Sequence, residues 1–283
     1  MQPADYDDLV KAALAEDLDS SGDVTSQALF SDEQLVARLT CKAHGVLAGG
    51  ELFAAVFQAV DARTTVDLHL SDGALLESGA HVATVSGAAT AVLSGERVAL
   101  NFLSFLSGIA TAARSYVDEA ARGGGAKILD TRKTLPGYRA LSKYAVRVGG
   151  GTNHRMGLHD MVLLKDNHID RAGSVTRAVG AVRERWGDRY RIEVECRTID
   201  EVTEARALGV DVIMLDNMSI EQTREAVAIC AGSPQIEASG NMDLSRVREV
   251  SAAGVDYISV GRLTHSVEAL DFSLTIAGGE QSR

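Results

Sequence analysis

The chain has 283 residues, 46% of them hydrophobic, which is enough for one large domain or two smaller ones with real cores. Its formal net charge of −11 and pI of about 5.1 argue against a nucleic-acid-binding protein, because duplex binding usually requires a basic face on a basic domain. The first twenty residues are too acidic for a secretory signal. The longest charge-free run near the middle, residues 98–113, is shorter than the roughly 20 apolar residues of a spanning helix. We therefore expect a cytoplasmic protein that does not bind membranes.

The N-terminal part of the chain alternates between helical and extended patterns. Apolar residues at helical spacing predict helices at residues 5–18 and 51–60, and a long apolar helix that opens at Gly95 and continues through residues 110–121. Residues 22–26 are predicted to form a turn, and alternating apolar residues predict strands at 35–40, 64–70 and 81–85. We therefore predict a sandwich-like α+β domain over residues 1–110, with antiparallel strands and helices on one side.

From Lys127 onward, short apolar strands alternate with amphipathic helices, a pattern typical of a parallel α/β sheet or barrel. The predicted strands are 127–131, 161–165, 191–195, 211–216, 235–239 and 256–260. The predicted helices lie near 138–147, 173–186, 199–208, 219–231 and 243–253. Because a complete barrel has eight strands, six indicate an open or incomplete α/β barrel, which we assign to residues 111–283.

A local excess of positive charge lies between Lys127 and His168. This stretch holds eight Lys or Arg residues against three Asp, although the chain as a whole is strongly acidic. An ordinary solvated basic surface is one interpretation. It is disfavoured because Arg132-Lys133 and Lys165 each follow directly on an apolar, strand-like run. The pattern favours a site for a small polyanion.

Polar residues stand at the predicted C-terminal ends of the strands, where the active sites of parallel barrels lie. They are Arg132, Lys133, Lys165, Glu195, Asp216, the turn Ser239-Gly240-Asn241, and Gly261. Any one of them could be a loop residue that is satisfied by water. Together they describe a cationic half, an acidic half and small-residue turns whose backbone N–H groups suit a phosphate.

Several long motifs also carry a family resemblance. DTRKTLPGYR, GGGTNHRMGLHDMVLLKDNH, IEVE, IMLDN, ASGN and SVGRLTHS, in this order and spacing, resemble the quinolinate phosphoribosyltransferases. The resemblance implies transfer of ribose 5-phosphate from phosphoribosyl pyrophosphate to quinolinate, with release of pyrophosphate and CO2, to give nicotinate mononucleotide for de novo NAD biosynthesis. It also implies an open barrel and a homodimer or higher oligomer.

The resemblance gives the strand-end residues roles in this reaction. Lys133 and Lys165 would be the pyrophosphate lysines. Glu195 and Asp216 would lie near the ribose and hold Mg2+, directly or through substrate and water. Glu193 faces the same side as Glu195 but one layer deeper, and is expected to be structural.

The second substrate carries two adjacent carboxylates, which planar guanidinium groups match in a bidentate way. Arg132 and Arg155 occupy the matching motif positions, with Thr131 and His154 beside them, and Arg97 matches an arginine that the family draws from the neighbouring subunit. The 5-phosphate would lie at the late strands, where the expected contacts are Ser239, Gly240, Asn241, Ser259, Val260, Gly261 and His265. A lone late histidine can equally be structural, so both interpretations of His265 are kept. Arg139, Lys143 and Arg147 share one helix face and are expected to act as solvated rim charges.

Two other functions are weighed against this one. A related phosphoribosyltransferase could act on another base, but a monocarboxylate would not need three guanidinium groups. A non-catalytic nucleotide sensor on the same barrel would keep the glycine-serine loops but could lose Lys133, Lys165, Glu195 or Asp216, and all four are present.

Overall fold

The computed structural model describes residues 6–277. The helices are α1 (Asp7–Leu18), α2 (Val24–Leu29), α3 (Gly50–Val60), α4 (Ala89–Gly123), α5 (Arg139–Val148), α6 (Asp166–Ala172), α7 (Val175–Trp186), α8 (Ile199–Ala207), α9 (Ile220–Cys230), α10 (Leu244–Ala252) and α11 (Arg262–His265). The strands are β1 (Gln34–Cys41), β2 (Gly45–Val46), β3 (Thr65–Leu68), β4 (Leu75–Leu76), β5 (His81–Ala88), β6 (Lys127–Leu129), β7 (Val162–Leu164), β8 (Ile192–Cys196), β9 (Val212–Asp216), β10 (Gln235–Ser239), β11 (Tyr257–Ser259) and β12 (Phe272–Ile276).

Contacts between Cα atoms group the chain into two compact units that are not continuous in sequence. The first contains the described residues up to Ala112, the segment Leu135–Gly149, and the described residues from Ser266 onward. The second contains Ala113–Thr134 and Gly150–His265. The sequence-based division into residues 1–110 and 111–283 stays a prediction.

The first unit is built on an antiparallel sheet with the strand order β12-β1-β5-β3. Alternate residues of β1 point inward, so that Ala37, Leu39 and Cys41 are buried. Helix α3 buries its apolar face, including Phe53 and Phe57, whose rings pack edge to face. The predicted α+β character of this part of the chain is confirmed.

Strand β12 was not predicted, and it pairs with β1 in register from Ala37↔Ile276 to Cys41↔Phe272. Residues of β12 therefore complete a sheet whose other strands come from the first ninety residues. Periodicity cannot reveal this pairing, because an alternating pattern identifies a strand but not the sheet edge that it joins.

The second unit is an open parallel sheet with the strand order β6-β11-β10-β9-β8-β7. Within residues 6–277 the two edge strands, β6 and β7, do not pair with each other, so the barrel is incomplete as predicted. All five residues of β8 are buried, as expected for a parallel strand that is covered on both faces. Helices α7, α8, α9 and α10 each begin after a residue whose side chain accepts a hydrogen bond from a backbone N–H of the first turn. These capping residues are Ser174, Thr198, Ser219 and Asp243 respectively.

Two local predictions about helices were wrong in detail. Residues 22–26 were expected to form a turn, but Asp23 accepts hydrogen bonds from the N–H groups of Thr25 and Ser26 and caps α2. The apolar helix is longer than expected, since α4 is continuous over 35 residues. Gly108 within it has no room for a side chain, because a Cβ would lie 2.2 Å from the Glu268 carbonyl oxygen. Among the helices of residues 6–277, none combines the length and hydropathy needed to cross a bilayer.

Candidate active site

The polar residues predicted from strand ends lie at the C-terminal edge of the six-stranded sheet in the second unit. Residues 131–133 follow β6, Lys165 follows β7, Glu195 is the penultimate residue of β8, and Asp216 ends β9. Ser239 ends β10 and pairs in register with Asp216 on the neighbouring strand. Parallel strands end at one edge, so this topology gathers both predicted halves around one mouth.

Lys165 and Glu195 connect the cationic and acidic halves. The Lys165 Nζ atom lies 3.1 Å from Glu195 Oε2. The Lys165 side chain is about half exposed, whereas that of Glu195 is mostly buried. The pair neutralises a carboxylate that would otherwise be costly to bury, and a flexible lysine can leave it when a stronger anion enters.

Asn217 fixes Asp216 from the following position. Its side-chain amide donates to Asp216 Oδ1 at 3.0 Å, and its carbonyl oxygen accepts from Asn241 Nδ2 at 3.2 Å. Asn217 has a φ of +53°, a left-handed conformation that asparagine tolerates. Gly240 has a φ of +97°, and a Cβ there would lie 2.2 Å from Asn217 Oδ1. The turns after β9 and β10 therefore hold each other and orient Asp216.

The cationic half is built around Arg155 and Arg132. Burial lowers the pKa of Arg155, and the nearby charge of Arg132 lowers it further. The Arg155 Nη1 atom donates to the Met161 carbonyl oxygen at 3.0 Å, which holds the side chain in place. Arg155 also lines a cavity of about 580 Å³ with mostly apolar walls from β7 and α6, a size that suits a small ligand.

Lys133, Gly261 and His265 lie together at the end of the sheet. A Cβ on Gly261 would lie 3.1 Å from Lys133 Cδ and 3.2 Å from His265 Cδ2, so the glycine allows both side chains to approach. The Thr264 hydroxyl donates to the Lys133 carbonyl oxygen at 2.8 Å, and the Thr131 hydroxyl accepts the Lys133 N–H at 3.0 Å. These bonds fix the backbone of Lys133 and leave its side chain exposed.

Ser259 and Val260 use their polar groups within the protein. The Val260 N–H donates to the Leu129 carbonyl oxygen at 2.9 Å and links the two strands. The Ser259 hydroxyl donates to a carboxylate oxygen of Glu237. The Val260 N–H and the Ser259 hydroxyl thus already donate hydrogen bonds within the protein. The phosphate contacts expected of these two residues stay predictions.

A buried cluster lies beneath the mouth and contains His154, Glu193 and Glu237. The His154 Nε2 atom is 3.2 Å from Glu193 Oε2 and 3.6 Å from Glu237 Oε2. Burial raises the pKa of Glu237 to about 8, and the charge of Glu193 contributes to the rise. Sequence reasoning treated Glu193 as structural and did not single out Glu237. A lone Glu inside the apolar strand QIEAS was the available signal.

Asp130 is a second residue that sequence reasoning missed. It is completely buried immediately after β6, and its carboxylate accepts the backbone N–H of His154 at 3.0 Å and the side-chain amide of Asn153. These bonds order the loop that carries His154 and Arg155. An aspartate directly after an apolar strand, in DTRK, was the signal that could have found it.

Comparison with known proteins identifies the family. Residues 23–107 match the N-terminal domain and residues 109–275 the C-terminal domain of quinolinate phosphoribosyl transferase. The chain belongs to the quinolinate phosphoribosyl transferase family. It is 42% identical to a probable nicotinate-nucleotide pyrophosphorylase [carboxylating] of Bacillus subtilis (93% of this chain, 90% of the relative). It is also 42% identical to the chloroplastic nicotinate-nucleotide pyrophosphorylase [carboxylating] of Arabidopsis thaliana (95% and 82%).

Solved structures of this family have the same fold. NadC from Streptococcus pyogenes superposes with a TM-score of 0.93 at 44% identity, covering 98% of each chain. The nicotinate-nucleotide pyrophosphorylase of Ehrlichia chaffeensis gives a TM-score of 0.92 at 37% identity, covering 96% of this chain and 98% of its own. The predicted fold and the resemblance to the quinolinate phosphoribosyl transferase family are confirmed.

Two further predictions concern residues outside the second unit, namely Arg97, predicted from the family resemblance, and the charges on one face of α5, predicted from their spacing. Arg97 is an exposed residue of α4, and within residues 6–277 no ion pair is formed by its guanidinium. Lys143 of α5 is completely buried, so its expected role as a solvated rim charge was wrong. Arg147 is exposed, with its guanidinium carbon 5.9 Å from the Tyr144 ring centroid.

Proposed function

We propose that this protein transfers ribose 5-phosphate from phosphoribosyl pyrophosphate to quinolinate with decarboxylation, producing nicotinate mononucleotide, pyrophosphate and CO2 for NAD biosynthesis. The observation that carries the proposal is that Arg132, Lys165, Glu195 and Asp216 stand at the C-terminal ends of parallel strands, with Arg155 close enough to Arg132 for the charge of Arg132 to lower its pKa. Family membership, and relatives named for this reaction, support it.

Quinolinate is bound through its two adjacent carboxylates by Arg132 and Arg155. Each guanidinium offers a planar fork that a carboxylate matches bidentately. Partial burial strengthens these bonds, because a charge-assisted hydrogen bond is worth more where water is excluded. A dianion also relieves the repulsion between the two arginines. A base with one carboxylate gains only part of this stabilisation.

Glu195 and Asp216 act on the ribose end of phosphoribosyl pyrophosphate. As the bond between ribose C1 and the pyrophosphate oxygen breaks, its electron pair leaves with pyrophosphate and the sugar gains positive charge. Carboxylates held near the ribose stabilise that charge, and Lys133 and Lys165 stabilise the departing anion. The quinolinate ring nitrogen then forms the new bond to C1.

The acidic pair also fits the magnesium ion that accompanies the pyrophosphate. Mg2+ prefers oxygen ligands and is usually held by one or two carboxylates together with substrate phosphates and water. Within residues 6–277, the hydrogen bonds of these carboxylates use Glu195 Oε2 and Asp216 Oδ1, so Glu195 Oε1 and Asp216 Oδ2 offer ligand atoms. When bound, Mg2+ would neutralise part of the pyrophosphate charge.

Decarboxylation follows in the same pocket. Loss of CO2 leaves an electron pair at C2 beside the positively charged ring nitrogen, and a proton then adds there. The protein contributes by retaining the dicarboxylated nucleotide beside Arg132 and Arg155, whose positive charges offset the negative charge that builds at C2.

The 5-phosphate is assigned to the late strands. Gly240 allows the chain to turn at a φ of +97°, and Gly261 leaves room for Lys133 and His265. His265 lies beside Gly261 and supplies a hydrogen-bonding group there, which suits a phosphate dianion.

We further propose a cytoplasmic homodimer in which Arg97 completes the quinolinate site of the partner. The exposed Arg97 guanidinium, which forms no ion pair among the described residues, supports a role outside its own unit. Isologous packing around a two-fold axis would give each site one Arg97 from the other chain.

A product assay tests the proposed function. Incubation with quinolinate, phosphoribosyl pyrophosphate and Mg2+ should give nicotinate mononucleotide, pyrophosphate and CO2 in equal amounts, and chelation of Mg2+ should stop the reaction. The related-transferase alternative predicts a product only with another base, and the nucleotide-sensor alternative predicts binding without turnover. Either result would overturn the proposal.

A further inference from the structure

Both ring nitrogens of the His154 imidazole lie close to polar groups of its own chain. Its Nδ1 atom accepts the backbone N–H of Arg155 at 2.7 Å, so Nδ1 is the unprotonated nitrogen and Nε2 carries hydrogen. Nε2 lies 3.2 Å from Glu193 Oε2 and 3.6 Å from Glu237 Oε2. The His154 side chain is only 8% exposed.

Burial of the Glu193 side chain is energetically unfavourable. Glu193 lies in the middle of β8 with its side chain 1% exposed, and neither carboxylate oxygen has a hydrogen bond within the described residues. Burying a carboxylate without hydrogen bonds is destabilising unless a nearby positive group offsets the loss of hydration. His154 Nε2 approaches one of its oxygens, and the charge of Glu193 also supports the charged form of Arg155.

We propose that Glu193 is a positioning residue for quinolinate binding, which acts by holding the His154 ring. The Glu193 carboxylate attracts the Nε2–H group of His154, and Glu237 lies close to the same nitrogen. The ring is thereby oriented so that Nδ1 accepts the backbone N–H of Arg155. This fixes the start of the Arg155 side chain below the mouth of the pocket. This role rests on the proposed function only where quinolinate binding is concerned. The position of the His154 ring can be tested without any substrate.

The first test follows the His154 ring by nitrogen-15 NMR of the full-length protein without substrate. Wild type should show one tautomer, with a protonated Nε2 and an unprotonated Nδ1. Glu193→Gln should show tautomer exchange or loss of the Nδ1 hydrogen bond. Glu225→Gln, the same change on the exposed face of α9, is the matched control and should leave the signals unchanged.

The second test is kinetic. Glu193→Gln should raise the KM for quinolinate about tenfold, the loss expected when a buried polar group loses its partner, with little change in the KM for phosphoribosyl pyrophosphate. His154→Asn keeps an acceptor near the Nδ1 position but lacks Nε2. If Glu193 acts through His154, the double variant should lose less than the product of the two single losses.

Three results would overturn the proposal. The first is an unchanged His154 spectrum in Glu193→Gln, and the second is an equal rise in both KM values. The third is a stoichiometric metal ion in the purified protein that is lost from Glu193→Gln. The ligand atoms of His154, Glu193 and Glu237 all lie within 4.8 Å of one another, so a cation would hold the ring instead. Absence of all activity in wild type would refute the proposed function and leave the spectroscopic test standing.

Discussion

Arg132 and Arg155 repel each other in the free protein. Burial and the charge of Arg132 both lower the pKa of Arg155, which means that its charged form is less favourable there than in water. A dicarboxylate removes both penalties, because its charge offsets the repulsion and its oxygens replace lost water. If these arginines bind quinolinate as proposed, its affinity depends on the shape of the guanidinium group as well as its charge.

Replacing Arg155 by Lys tests this dependence. Lysine keeps the charge but presents a point donor in place of a planar fork, so the KM for quinolinate should rise at least about tenfold while the KM for phosphoribosyl pyrophosphate changes little. Steady-state kinetics with each substrate varied in turn measure both values. Arg224→Lys, on the exposed surface of α9, is the control. Equal effects on the two substrates would contradict separate cationic and acidic halves.

Glu237 makes stability depend on pH. Burial and the charge of Glu193 raise its folded-state pKa from 4.5 to about 8, so the folded protein binds this proton more tightly than the unfolded chain does. The stability gained from the neutral carboxyl is fully present below pH 4.5 and is lost as the pH rises through 8.

Glu237→Gln removes this titration. Between pH 6 and 9, the free energy of unfolding should fall less steeply in the variant than in wild type, as the linkage relation requires. Urea unfolding at several pH values measures the difference, and a variant curve parallel to that of wild type would contradict the raised pKa.

At the scale of elements, the turns after β9 and β10 stabilise each other through direct contacts. Asn217 bonds to Asp216 on one side and to Asn241 on the other, and Gly240 leaves the space that Asn217 fills. The position of Asp216 therefore depends on a neighbouring strand connection as well as on its own strand.

Gly240→Ala should disturb this arrangement. The new methyl group would overlap Asn217 Oδ1 and require a left-handed conformation, at a cost of about 1–3 kcal/mol for the strain alone. We expect lower stability and a higher KM for phosphoribosyl pyrophosphate. Gly232→Ala is a matched control, since Gly232 has a similar φ of +89° but a Cβ there would have no atom within 4 Å. Equal effects of both variants in unfolding and kinetic assays would show that the contact with Asn217 is unimportant.

Helices and strands with a clear repeat of apolar residues were predictable from the sequence, and very short elements were not. All six parallel strands were placed correctly because apolar runs between polar helices leave little ambiguity. The short helices α2 and α6 were missed because they have too few turns for a period. Strand β12 was recognisable only from its partner β1, which is far away in the sequence.

The mouth of the site was predictable for a similar reason, and the layer beneath it was not. Lys165, Glu195 and Asp216 stand at strand ends, so knowledge of a parallel sheet is enough to bring them together. The approach of His154 to Glu193 and Glu237 depends on strand order and side-chain direction. A sequence pattern gives the side-chain direction within one strand, as it did for Glu193, but it does not give the order of the strands.

At the scale of the whole molecule, the proposed dimer predicts complementation. Arg97→Ala and Lys165→Ala should each be nearly inactive, because one lacks a quinolinate contact and the other a pyrophosphate lysine. In a mixed dimer, one site combines Lys165 of the first chain with Arg97 of the second and is complete. Random re-association of equal amounts should recover up to about a quarter of wild-type activity, as two-fold pairing requires.

The control for complementation is chain exchange, which is followed with differently tagged chains. If exchange is complete and activity stays at the level of the single variants, Arg97 does not act across a dimer interface. That result would leave the proposed reaction intact and refute only the shared site.

The most direct test of the proposed function compares quinolinate with nicotinate as the acceptor in wild type. Nicotinate lacks the C2 carboxylate, so part of the cationic pocket stays unpaired and kcat/KM should fall by at least about a hundredfold. Comparable kcat/KM values for the two acids would contradict the claim that this site recognises two adjacent carboxylates.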